Sequence, residues 1–141
     1  MDIYEFFKND RYAALSGIEL IEARRGYART RMVVRDCHLN SGNTVQGGAI
    51  FTLADLAFAA AVNAYGNLAV SLQTSIYFHR GVGGGTLYAE AREIKTGANI
   101  GSFEVSVTDD GGDLVATFVA SAYRKSVVLP FSDPDRALFR C

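Results

Sequence analysis

The feature that most constrains this chain is the stretch from residue 38 to residue 66. It opens as a polar loop that ends in Asn40-Ser41-Gly42-Asn43-Thr44-Val45-Gln46-Gly47. From Gly48 it becomes a run of Ala, Leu, Phe and Val without proline, and it closes at Gly66. Ala and Leu are strong helix formers, and a Gly just past the last apolar residue is a helix stop. The run is apolar on nearly every side. Such a helix is wrapped by other structure, not laid on a surface. One residue conflicts with that environment. Between Asp36 and Arg80 the single Asp, Glu, Lys or Arg is Asp55, in the middle of the predicted helix. A buried carboxylate is costly unless it is paired, bonded or neutralised. It therefore reads either as a structural group aimed at a polar crevice or as a catalytic carboxylate in a largely dry cleft. The glycine-bearing loop before it favours the second.

The 141 residues suit one domain with a real core. We expect that domain over residues 1–126 and a tail over 127–141. The net charge of −1 gives no whole-protein reason to expect nucleic acid or an anionic membrane as partner. Cys37 and Cys141 form no metal or disulfide pattern and read as reduced thiols of a cytoplasmic protein. The first residues carry acids and no long apolar core, so no signal peptide is expected. Asp55 and Asn63 argue against a membrane span in the Ala-rich helix.

Residues 2–15 carry Ile3, Phe6, Phe7, Ala14 and Leu15 at helical spacing, predicting one short amphipathic helix before Ser16-Gly17. Two strands follow, at 18–24 and 27–34. Their arginines, Arg24, Arg25, Arg29, Arg31 and Arg35, read as a solvated strand face. After the central helix the pattern predicts a four-strand meander at 68–80, 86–95, 100–108 and 114–126. The glycines at 81 and 83–85 are read as a hairpin connection, and Asp109-Asp110-Gly111-Gly112 is a turn signal. The tail, with Pro130 and Pro134, is expected to be irregular, with Ala137 to Phe139 able to dock. The order predicts an α+β domain: one antiparallel sheet curled around one helix, with a second copy of the chain covering whatever the sheet leaves open.

Asn40, Gln46-Gly47-Gly48-Ala49-Ile50-Phe51-Thr52-Leu53-Ala54-Asp55, Ala57-Phe58-Ala59, Asn63 and Gly66 together resemble the signature of hotdog-fold thioesterases of the phenylacetic-acid-pathway, 4-hydroxybenzoyl-CoA thioesterase-like type. Thr86-Leu87-Tyr88-Ala89, the turn from Gly97 to Gly101 and Val115-Ala116-Thr117-Phe118 extend the likeness over most of residues 12–125. The resemblance implies the hotdog fold, acyl-CoA hydrolysis and a site at a dimer interface, and we expect a dimer of dimers. It implies Gly47 N–H as the donor to the carbonyl, with Asn40 and Gln46 in support. Gly48, Phe58, Gly97, Asn99 and Arg124 are candidates around the substrate, as are the hydroxyls of Ser71 and Thr74, for which ordinary strand packing is the favoured reading. No metal or redox cofactor is implied, since coenzyme A is part of the substrate. Family members commonly carry His where this chain has Gln46, and a basic residue where it has Ala98; Arg124 and Lys125 are the candidates to supply that charge.

The chemistry of these residue types agrees. Thioester hydrolysis places negative charge on the carbonyl oxygen, and a first-turn helix N–H is an unpaired donor aided by the helix dipole. Asp55 would activate water as general base or attack the carbonyl directly. Gly47 and Asp55 are eight residues apart, roughly 12 Å along a helix. A nucleophile and an oxyanion donor must both lie within about 3 Å of one reacting carbonyl. If both act on one thioester, Asp55 of one chain works with Gly47 of another. His38 and His79 have no metal-ligand spacing, so no zinc site is expected. A Gly-x-Ser-x-Gly elbow is missing, which argues against a serine triad. The alternative is a non-catalytic acyl-CoA-binding protein on the same fold, prompted by Gln46 and Ala98. A hydratase and a purely structural dimer rank below it.

Overall fold

The structure is a computed structural model, and it describes residues 1–131. Residues 2–15 form two helices instead of one, α1 (Ile3–Phe7) and α2 (Arg11–Leu15). The break has a local cause. Asp2 caps α1 in a reciprocal box with Glu5, and the Asp10 carboxylate accepts the Ala13 N–H at 3.0 Å, which starts a new helix at residue 11. Then come β1 (Ile18–Arg24) and β2 (Tyr27–Val33), a short 3-10 turn (Asp36–His38), and the long helix α3 (Gly47–Asn63). The remaining elements are β3 (Asn67–Phe78), β4 (Thr86–Thr96), β5 (Ile100–Thr108) and β6 (Leu114–Val128). Strand β6 continues past residue 126 because Val128 pairs with Asn67. Pro134, Cys141 and the segment Ala137 to Phe139 lie outside the described residues.

The six strands form one antiparallel sheet in the order β1-β2-β4-β5-β6-β3. The expected meander holds only for β4, β5 and β6. Strand β3 pairs with β6 along its length and not with β4, so residues 79–85 are a crossover and not a hairpin. Local turn chemistry reports that a chain reverses, not which strand receives it. In consequence β1 and β3 are the two edges of the sheet.

The sheet curls so far that α3 packs on every strand, mainly β2 and β4. Alanines permit the close approach. Ala54, Ala57, Ala60 and Ala61 on α3 are buried against a sheet face that carries Ala28, Ala89, Ala91 and Ala122, with Phe58, Phe103 and Phe118 filling the wider end. The Thr30 hydroxyl donates to Leu53 O at 2.9 Å and ties β2 to the helix. Asn63 ends α3: its amide donates to Ala59 O, and its oxygen accepts the Ala69 N–H at 2.8 Å. Gly66 then turns the chain at φ +104°, a region that L side chains rarely adopt. No helix among the described residues is long and apolar enough to cross a membrane.

The helix is nevertheless not covered all round. Gly48, Thr52, Asp55 and Ala59 keep solvent exposure; Gly47, Ala49 and Phe51 near the helix start do so too, but from Leu53 onward every other residue of α3 is buried. The first four recur at three- and four-residue spacing and so form one stripe. The odd carboxylate of the apolar helix lies on the one face that its own sheet leaves open.

Candidate active site

The N-terminal end of α3 presents a backbone donor, and the sequence there decides which one. Gln46 is the N-cap, and its side-chain Oε1 accepts the Gly48 N–H at 2.7 Å. Ala49 and Ile50 donate to Gln46 O. The Gly47 N–H has no acceptor among the described residues. Of the two glycines, Gly47 therefore carries the open donor, and the helix dipole adds to its pull on an anion. A Cβ on Gly47 would sit 3.0 Å from Phe78 Cζ, so the absence of a side chain is what lets Phe78 close on the helix end.

Gly47 lines an open cleft of about 360 Å³ together with Thr44, Val45, Ile50, Phe78, His79, Arg80 and Gly81. Phe78 ends the edge strand β3, so the cleft adjoins the unpaired edge of the sheet. Sequence reasoning missed Phe78 and Arg80 here, because only the crossover brings residues 78–81 back to the start of α3. His79 bonds the Thr117 hydroxyl at 2.9 Å, and Arg80 is ion-paired with Asp109.

Asp55 is half-buried, and among the described residues its carboxylate has neither a hydrogen bond nor an ion pair. Burial raises its pKa above the usual carboxylate value, and the negative charge of Asp10 at the start of α2 adds to the rise. Leu56, beside it, floors a smaller crevice of about 170 Å³ walled by Tyr4, Phe7, Ala14, Ile18 and Leu20, with Lys8 and Glu19 at its polar side.

The other sequence-selected residues fall in three places. Asn40 folds its own loop: its Oδ1 accepts from Gly42 N at 2.9 Å and from Thr44 N at 3.2 Å, and the side chain stays exposed. Ser71 and Thr74 lie on edge strand β3, exposed and half-buried respectively. Gly97 and Asn99 form the β4–β5 turn, which packs with Arg124 at the opposite end of the molecule from Gly47. Two expectations are corrected. Phe58 is a core residue, 2% exposed, with its ring against Phe103 and Phe118, because it faces the sheet and not the open stripe. Arg124 is wholly buried. It donates to Gly97 O at 3.0 Å, lies 3.5 Å from Glu93 Oε2, and stacks over Tyr65 at 4.9 Å, so within this chain its guanidinium does not reach the surface to meet a phosphate.

The family model of the thioesterase superfamily matches residues 42–116, which include the glycine pair, Asp55 and the first strands after α3. This chain belongs to the thioesterase superfamily. It has the hotdog fold of that family and is an enzyme of the thioester-hydrolase class. A protein of Archaeoglobus fulgidus whose esterase name is provisional is 38% identical over 88% of this chain and 81% of its own. The acyl-coenzyme A thioesterase PaaI of Escherichia coli is 34% identical over 86% of this chain and 87% of its own. The solved structure of that protein, from the phenylacetic acid degradation operon, superposes with a TM-score of 0.86 over 90% of this chain and 93% of that one. A structure of smu.793 from Streptococcus mutans bound to acetyl CoA is 27% identical, with a TM-score of 0.73 over 77% of this chain and 88% of that one.

Proposed function

We propose that this thioesterase hydrolyses an aryl- or medium-chain acyl-CoA to the free acid and CoA. Asp55 of one chain acts with the Gly47 N–H of a second. The observation that carries the reading is Asp55, a half-buried carboxylate without a partner on the one open stripe of an otherwise wrapped helix. Such a group costs stability and is retained for its chemistry.

The step balances simply. Asp55 takes a proton from water as the water oxygen bonds to the thioester carbonyl carbon. The carbonyl oxygen becomes an oxyanion, and the Gly47 N–H donates to it. Collapse breaks the C–S bond and expels CoA as thiolate, which takes up a proton. Direct attack by the Asp55 carboxylate, with an anhydride that water then opens, uses the same two groups. Asn40 and Gln46 shape the donor loop, and Gly48, Ser71, Thr74, Gly97 and Asn99 are the candidates to contact substrate.

Two observations support a dimer. Gly47 and Asp55 share one helix, and eight residues separate them by about 12 Å, too far to meet on one carbonyl. The cleft at Gly47 also adjoins the free edge of β3, a twelve-residue strand that exposes Val70, Leu72, Tyr77 and Phe78. Such an edge is a template for antiparallel pairing with a second copy. Two such dimers pair into a tetramer in this reading.

The test is CoA release from phenylacetyl-, hydroxybenzoyl-, short-chain and long-chain acyl-CoA, with wild type and Asp55→Asn, alongside the mass of both in solution. Turnover by a wild-type oligomer that vanishes in an equally assembled Asp55→Asn protein is the expected result. Binding of acyl-CoA without release by wild type would replace this reading with the acyl-CoA binder.

A further inference from the structure

We infer that His38 is a positioning residue for this reaction: it straps the loop that opens α3, and with it the Gly47 donor, to the end of α2. The inference rests on the thioesterase reading above. His38 sits in a loop that is otherwise mostly exposed, yet it is 4% exposed itself. Its ring joins two segments far apart in sequence. Nδ1 accepts the Arg35 backbone N–H at 2.9 Å, and Nε2 lies 2.7 Å from the Ser16 carbonyl oxygen. A carbonyl oxygen can only accept, so Nε2 carries a proton. Nδ1, with an N–H aimed at it, does not. The partners therefore select one neutral tautomer.

Arg35 strengthens the strap. Its guanidinium donates to Leu15 O at 3.2 Å, so the carbonyls of Leu15 and Ser16, at the C-terminal end of α2, are both taken by this loop. From His38 the path runs forward to the helix. The His38 carbonyl accepts the Gln46 N–H at 2.7 Å, and the Gln46 side chain accepts the Gly48 N–H at 2.7 Å. The polar links thus lead from Ser16, through the imidazole residue and the N-cap, to the amide next to Gly47. At the other end of that path, α1 and α2 wall the crevice floored by Leu56, the neighbour of Asp55. His38 holds the helix end that carries the donor against the wall that flanks the carboxylate of the same chain.

Two substitutions separate this role from ordinary packing. His38→Asn retains an acceptor near the Nδ1 position for Arg35 but is too short to reach Ser16. His38→Gln can place an amide N–H where Nε2 was. Because a misplaced donor is felt in the transition state, we expect His38→Asn to lower kcat about tenfold with KM for the acyl-CoA unchanged, and His38→Gln to retain most of kcat. Nitrogen-15 NMR of the wild-type ring is expected to show a neutral imidazole protonated at Nε2. Wild-type kcat in His38→Asn, or an equal loss in both variants, would overturn the role. So would a wild-type ring protonated at Nδ1, a measurement that decides even where a variant fails to fold. Absence of CoA release by wild type would instead defeat the thioesterase reading while the ring measurement stood.

Discussion

Asp55 and Arg124 are both charged side chains withdrawn from water, and the fold treats them in opposite ways. Arg124 is completely buried and answered on several sides: by Glu93, by Gly97 O and by the face of Tyr65. Its partner Tyr65 donates to Glu93 at 2.8 Å, and burial with that acidic partner pushes the Tyr65 hydroxyl up to about 12. This cluster closes the C-terminal end of α3 and pins the β4–β5 turn. Asp55 is less buried, yet among the described residues it has no partner, and the charge that acts on it, Asp10, repels it. Burial alone therefore does not describe how the fold treats a charge. Whether the charge is answered does.

That contrast is sharpest at Asp55 itself. Asp55→Asn should lower kcat by about 10²–10⁴-fold, the usual range for a lost acid–base group, as read by CoA release. Its stability effect should have the opposite sign. A carboxyl whose pKa is raised on folding binds more protons in the native state, so it weakens the fold as pH rises from its unfolded to its folded pKa. Thermal melts at neutral pH should show Asp55→Asn at least as stable as wild type, and a clear drop would break the comparison. Arg124→Met should do the reverse. Taking the cationic partner from Glu93, which keeps the Tyr65 hydroxyl, should remove about 3–5 kcal/mol of stability in denaturant titrations. Much of that loss should return when Glu93→Gln is added, while kcat per folded molecule holds.

Gly47→Ala comes next in size. Its Cβ would press on Phe78 and shift either the ring or the helix end, so kcat should fall by up to about 10²-fold, the lower end of the cost of removing an oxyanion donor. Gly84→Ala, at a position with open space, is the matched control. The smallest effect is expected at Asp10→Asn. Asn caps a helix as well as Asp, so α2 should survive. Removing the negative charge should lower the Asp55 pKa and move the acid limb of the pH–rate profile toward lower pH.

Much of this was legible in the residues. Helix α3 was expected from Ala and Leu content and its Gly66 stop, and it spans Gly47–Asn63. Strands β1, β2, β4 and β5 fall close to their expected bounds, because period-two alternation is a local signal. The single helix expected over residues 2–15 divides at Asp10, whose capping power competes with helix continuation. Phe58 and Arg124 changed role for a different reason. Which face of an all-apolar helix is open, and whether a charge meets a buried partner, depends on strands that lie far away in sequence.

The sequence by itself determined that one carboxylate would sit alone in an apolar helix, eight residues from a glycine donor, and that two copies are needed if both act on one thioester. Composition, periodicity and spacing are properties of a segment, so they survive without knowledge of the rest. The tertiary structure alone decided that β3 crosses to β6 and becomes an edge, that Phe78 thereby closes on Gly47, that Gln46 takes the Gly48 amide and leaves the Gly47 donor open, and that His38 reaches back to Ser16. Each of these is a pairing between partners, and the choice among competing partners is made when the sheet curls around the helix.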